Sequence, residues 1–368
     1  MRTFPLTWVS ALVCLLALTA AGSAPEPGAG RASTRAASST TGYAPYVSAT
    51  AASANDAAGA PTAYHLAFVV SDGSGCTPTW NGTDALGDPA VASRIARLTG
   101  RGAALRVSFG GSSGEELASA CGSASALAQA YGTALDAAGA DQADFDVEGG
   151  EPADARSVAR RSAAVARLQW QRPGLAVSFT LPVMPYGLDG DAVALLESAE
   201  EHGVRVSAVN LMTMDYADSY TGDMGDYAVA AATAAHAQLR RVFGLSEAAA
   251  WREMALTSMI GANDVAGETF TLADAARVRA FAERNGMAWV SMWASFRDRQ
   301  CGDGPRDAAA GTADGGGGDD GGGGADGRGG AEDAAEDGGA TDPATNCSGV
   351  QQEAGAFARA LSGMHESG

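Results

Sequence analysis

The chain predicts an α/β fold, a (β/α)8 TIM barrel, from three observations. Short β-prone apolar runs recur eight times between Tyr43 and Cys301. Helix-prone stretches rich in Ala, Leu, Glu and Arg separate most of them. The span covered matches the roughly 250 residues such a barrel needs. The runs are Tyr43–Ala49, Ala63–Val70, Ala104–Gly110, Ala143–Glu148, Leu175–Leu181, Val206–Met214, Ala255–Ile260 and Met287–Trp293. Pro45 interrupts the first, and proline cannot donate to a sheet ladder. Several others are nearly continuous apolar runs, the pattern of parallel strands buried on both faces. Helices are expected over 115–138, 152–170, 189–202, 226–241 and 271–285, with a closing helix over 351–363. A doubly wound sheet is the alternative. It would call for a glycine-rich first turn with phosphate-binding spacing, which the chain lacks.

The segments around the barrel have different compositions. Residues 1–24 read as a secretory signal peptide: Arg2, an apolar run from Trp8 to Ala21, then small residues to Ala24. Cys14 falls within it and is expected to be removed. Residues 25–42 are mostly Ala, Gly, Pro, Ser and Thr and read as a disordered linker. The barrel takes 43–301. Residues 302–346 contain two runs of four glycines and almost no apolar side chain beyond Ala, so they read as a disordered insertion. Residues 347–368 return as the closing helix and tail.

The formal charge is −19. The insertion supplies −9 of it, as eleven acids against Arg306 and Arg328. A mildly acidic remainder excludes nucleic acid as a natural partner, because binding it relies on a basic surface. Every basic side chain is Arg, which fits a codon bias toward Ala, Gly and Arg. No segment after the signal has 18 apolar residues in a row, so no membrane partner is expected once the signal is removed. Cys76, Cys121, Cys301 and Cys347 remain, an even number in an exported chain. Three connectivities are possible. The sequential one, Cys76–Cys121 and Cys301–Cys347, is expected, with four free thiols as the alternative. Oligomeric state is left open.

Residues 141–148, Asp-Gln-Ala-Asp-Phe-Asp-Val-Glu, carry the chemistry. On a strand, residues two apart share a face about 7 Å apart. Asp144, Asp146 and Glu148 then form one row, with Phe145 and Val147 facing apolar packing. Such a row persists with a bound metal, basic partners, or shared protons that raise one pKa. A carboxylic acid kept protonated near neutral pH is what glycosidic hydrolysis requires. Glu148 ends its strand before Gly149 and Gly150, at the face where barrels place their active sites.

The motif Asp141-x-x-Asp144-x-Asp146-x-Glu148 closely resembles the signature of glycoside hydrolase family 18, the chitinases and endo-β-N-acetylglucosaminidases. Ser108-Phe109-Gly110-Gly111 resembles the family's Ser-x-Gly-Gly on strand three. Met212-Thr213-Met214-Asp215-Tyr216 resembles its strand-six motif, and Trp293 the tryptophan under its sugar site. Phe68 to Trp80 is also similar to secreted bacterial chitinases. The resemblance implies a substrate-assisted retaining mechanism without metal or cofactor. Glu148 would be the acid and then the base. Asp146 would hold the substrate's acetamido group, and Asp144 would share a proton with Asp146. The family commonly has Tyr where Met214 stands. Strand parity puts Tyr216 on the face of Met212 and Met214, so Tyr216 is the candidate for that missing hydroxyl. Asp141 starts the strand, far from the chemistry.

Two other chemistries compete. A cation needs six or more oxygens, usually from a loop, and a straight strand wraps one poorly. His65, His202, His236 and His365 show no zinc spacing. Gly110-Gly111-Ser112-Ser113-Gly114 fits a nucleophile elbow, with His202 or His236 as its base. The first functional reading is a secreted chitinase acting on chitin or N-acetylglucosamine oligosaccharides. An N-glycan endoglycosidase and a non-catalytic glycan-binding barrel are the alternatives.

Overall fold

The computed structural model describes residues 41–301 and 346–364. The expected signal peptide, residues 25–40 of the expected linker, residues 302–345 of the insertion and His365 lie outside them. Gly42 already belongs to the sheet.

The barrel strands are β1 (Gly42–Tyr43), β2 (Tyr46–Ser48), β3 (Ala63–Ser71), β4 (Ala104–Gly110), β5 (Gln142–Asp146), β6 (Ala176–Pro182), β7 (Val206–Met212), β8 (Met254–Met259) and β9 (Trp289–Trp293). From β2 through β3 to β9 each pairs in parallel with the next. β1 pairs with β9, so β1 and β2 together form the stave that closes the ring. Pro45 divides them. The Ala44 N–H donates to Val290 on one side at 3.0 Å, and the Pro45 carbonyl accepts from His65 on the other at 3.0 Å. Proline has no N–H to leave unpaired where the stave changes neighbour. β5 and β7 each end two residues before the expected limit.

The strands are buried on both faces, as expected, and the two faces differ in character. The outer face is apolar: Phe109, Phe145 and Phe179 lie side by side across β4, β5 and β6 at 5.4 and 5.6 Å and pack against the helices. The inner face carries His65, Arg106, Ser108, Asp144, Ser178, Thr180, Asn210 and Thr257, all buried. These polar groups bond one another across the ring, as buried polar groups must.

The helices over 155–171, 190–201, 224–242 and 272–285 lie where expected. The 115–138 stretch is two helices, Leu117–Ala120 and Ala124–Ala138, because Cys121 is extended between them. An unanticipated helix, Pro89–Thr99, starts where the Asp88 carboxylate accepts from the Ala90 and Val91 amides. The closing helix shrinks to Ala356–Ser362. Gly355, at φ +79°, precedes it, and the buried Asp298 carboxylate accepts from Phe357 and Ala358 N–H at 3.0 and 2.8 Å. The disulfides are Cys76–Cys121 and Cys301–Cys347. Among the described residues no helix is long and apolar enough to cross a membrane.

Candidate active site

Parallel register builds the site. Asp144 on β5 lies opposite Ser108 on β4 and Ser178 on β6. Asp146 lies opposite Gly110 and Thr180. Val147 continues the pairing by one bond, N–H to the Thr180 carbonyl at 3.0 Å. Glu148 follows, half-buried in the cleft, and Gly149 at φ +59° turns the chain away. Glu148 therefore lies just beyond β5 and still continues the row.

The three acids have different surroundings. Asp144 is fully buried and accepts four hydroxyl bonds. Tyr46 and Ser108 donate to Oδ2 at 3.0 and 2.7 Å. Ser178 and Thr180 donate to Oδ1 at 2.6 and 2.9 Å. That fills its acceptor sites. Asp146 is 4% exposed and its Oδ1 has no partner. Burial, then the charges of Glu148 and Asp144, hold its carboxyl well above the usual carboxylate range. Its side chain hydrogen-bonds Glu148 rather than Asp144. Burial chiefly raises Glu148, with the charge of Asp215 adding to it, to about 7. The row thus retains protons at its top and fills its base with hydroxyl donors.

Trp293 ends β9 in the cleft wall, stacked on Phe68 at 5.6 Å and edge-on to Tyr46 at 5.8 Å. Met212, Met214 and Asp215 line the same cleft. Asp215 Oδ1 accepts from the Val265 amide at 3.1 Å. Ser108 is wholly buried and acts on Asp144. Gly110, at φ +97°, is the close-approach position: a Cβ there would overlap the Asp146 carbonyl oxygen. That carbonyl accepts from Gly111 N–H at 3.0 Å. Gly110→Ala is expected to destabilise the fold by about 1–3 kcal/mol from backbone strain alone. It should also lower activity by displacing Asp146. Thermal melts and turnover assays on one preparation check both effects.

Tyr216 does not join the cleft. It is 3% exposed, and its ring packs against Tyr220 and Tyr227 at 5.8 Å each. Strand parity stops applying because β7 ends at Met212 and Asp215 is left-handed at φ +50°. The elbow reading fails on geometry. His202 caps a helix end through the Ser198 carbonyl, and His236 stacks on Trp251 at 4.0 Å. Among the described bonds neither ring reaches Ser112. Tyr46, Ser178, Thr180, Thr257 and Asp264 were missed as site residues. Ser178 and Thr180 had a readable signal, since they alternate with Val177, Phe179 and Leu181.

A (β/α)8 barrel with a row of acids at the carboxyl ends of its strands, the upper two holding protons, beside an aromatic wall, has the layout of a barrel glycosidase. No protein-family model matches the chain. It is 34% identical over 275 residues to a probable bifunctional chitinase/lysozyme of Escherichia coli, covering 70% of this chain and 31% of that protein. It is 33% identical over 248 residues to endochitinase 11 of Metarhizium anisopliae, covering 64% and 47%. The chain thus spans less than half the length of either relative. Catalytic-site mutants of active domain 2 of the thermostable chitinase from Pyrococcus furiosus, complexed with chito-oligosaccharides, have a TM-score of 0.70 to it. The identity there is 25%, over 89% of this chain and 95% of that one. The chain is thus similar to chitinases both in sequence and in fold.

Proposed function

We propose that this protein is a secreted chitinase hydrolysing β-1,4 bonds between N-acetylglucosamine units, with retention and with the substrate's own acetamido group as nucleophile. The observation that carries the reading is the Asp146–Glu148 pair, which holds protons above a buried, hydroxyl-filled Asp144. Glu148 gives its proton to the glycosidic oxygen as the C1–O bond breaks. The acetamido carbonyl oxygen bonds C1 and forms an oxazolinium ion. Asp146 accepts from the acetamido N–H, and the one proton and one negative charge left on the Asp146–Glu148 pair are shared so that the charge faces and stabilises that ion. Water then attacks C1, the oxazolinium C–O bond breaks, and the water proton passes to Glu148. No step is assigned to Tyr216, whose hydroxyl lies outside the cleft. Trp293 supplies an apolar face against which a sugar ring can stack. Two disulfides and the expected signal peptide support an extracellular location.

Incubation with N-acetylglucosamine hexamer and with the matching glucose hexamer tests the reading. Mass spectrometry should find shortened products only from the acetylated one. Cleavage of neither, or of both alike, would sink it.

The pH dependence follows from Glu148, which must be protonated to act and is held at about 7. On soluble oligosaccharides kcat/KM should fall above pH 7, approaching one decade per pH unit. A flat profile to pH 9 would show that another group is the acid.

A further inference from the structure

One barrel layer beneath the row lies a buried cation that the chemistry above does not use. Arg106 precedes Ser108 by two residues on β4, so it shares the inner face, and it is 8% exposed. Its neighbours in register are His65 on β3 and Gln142 on β5. Its Nη1 donates to His65 Nε2 at 2.9 Å and its Nη2 to Gln142 Oε1 at 2.9 Å. The guanidinium carbon lies 4.0 Å from the centre of the Trp289 ring. These partners are a neutral imidazole, an amide and an indole face.

His65 is fixed as the neutral tautomer. Its Nδ1 donates to the Ala44 carbonyl at 2.9 Å, leaving Nε2 to accept from Arg106. Burial, and then the Arg106 charge, lower it to about 3. The His65 ring stacks on Tyr46 at 4.4 Å and 13°, and Tyr46 donates to Asp144. A continuous column therefore runs Arg106, His65, Tyr46, Asp144. Among the described residues it begins with a buried cation without a contacting carboxylate and ends with a buried carboxylate held only by hydroxyls. Buried charges are costly unless compensated. The Asp144 charge acts on Arg106 through that column, favouring the guanidinium against the cost of its burial.

We propose that Arg106 is a positioning residue for the carboxylate row, the buried countercharge that lets Asp144 stand at its base while His65 and Tyr46 hold the two in line. The inference rests on the hydrolytic reading above. The other charged or titratable groups around Asp144 are His65 on β3, Tyr46 on β2 and Asp146 on β5 itself. The flanking β6 and β7 present the uncharged Ser178, Thr180 and Asn210.

Arg106→Met keeps length and apolar contact and removes the charge. Without the cation both ionisations of the Asp146–Glu148 pair should move to higher pH. The acid limb of the kcat/KM profile should rise by about one pH unit and the alkaline limb by less, narrowing the active range. Arg106→Lys keeps the charge and should leave both limbs in place. Should Arg106→Met not fold, Arg106→Gln carries the same comparison. A uniform loss of rate with unmoved limbs would reduce Arg106 to packing. Equal shifts in Met and Lys variants would put the effect in its bonds and not its charge; either result overturns the proposal. Carboxyl carbon-13 titration of the substrate-free protein reads the same shift without turnover. A shifted titration beside an inactive wild type would sustain the inference while the hydrolytic reading fell. An unshifted titration would sink the inference whatever the activity.

Discussion

Glu148→Gln should lower kcat on chitin oligosaccharides by about 10²- to 10⁴-fold, the range a positioned general acid supplies. KM should change little, because the amide keeps the shape of the side chain. The residue stands where β5 delivers it to the cleft, past the last paired residue, within reach of a bound sugar and bonded to Asp146. Glutamine preserves the contact and cannot release a proton. The same variant carries a stability signature with a defined sign. Folding raises Glu148 from the ordinary glutamate range to about 7, so the native state binds that proton more tightly than the unfolded chain. Stability from this group is present at low pH and is lost as pH rises through about 7. Glu148→Gln should therefore melt above wild type at pH 8, by no more than about 3 kcal/mol. The gap should close below about pH 4. A variant that is inactive but equally stable at both pH values would point to a Glu148 that is not held protonated.

Asp146→Asn should cost about 10²- to 10³-fold in kcat, of the order seen when a charge-stabilising group is removed from an enclosed site. Asparagine can still donate to Glu148 and accept from an acetamido N–H. It cannot carry the negative charge that faces the oxazolinium ion. Since the Asp146 hydrogen bond lowers Glu148, a weaker amide donor should also move the alkaline limb to higher pH. A drop in rate without movement of the limb would mean that Asp146 acts on substrate alone.

Where side-chain alternation governs, the chain is readable. Asp144, Asp146 and Glu148 alternate with Phe145 and Val147, and the two sets face opposite ways in the fold. The same alternation marks Ser178 and Thr180. The length and apolarity of these runs mask it, and with it the polar interior. Tyr46 could not be found this way, because Pro45 breaks the pattern and the hydroxyl meets Asp144 across 98 residues. Tyr216 shows the opposite case: parity does not carry through Met214 and Asp215, where the strand has ended and the backbone turns left-handed. The split of 115–138 had a visible cause, since a cysteine bound across the fold held Cys121 extended. The Asp298 cap on the closing helix arises between residues far apart in sequence and left no local signal.

The substrate's acetamido oxygen is the proposed nucleophile, with Asp146 and Glu148 serving it. Proton NMR of the first minutes of hydrolysis of N-acetylglucosamine tetramer tests it most directly. The β-anomer should appear first and relax slowly to the equilibrium mixture, and the fully deacetylated tetramer should not be cut. Initial release of the α-anomer, or comparable cleavage of the deacetylated tetramer, would contradict it.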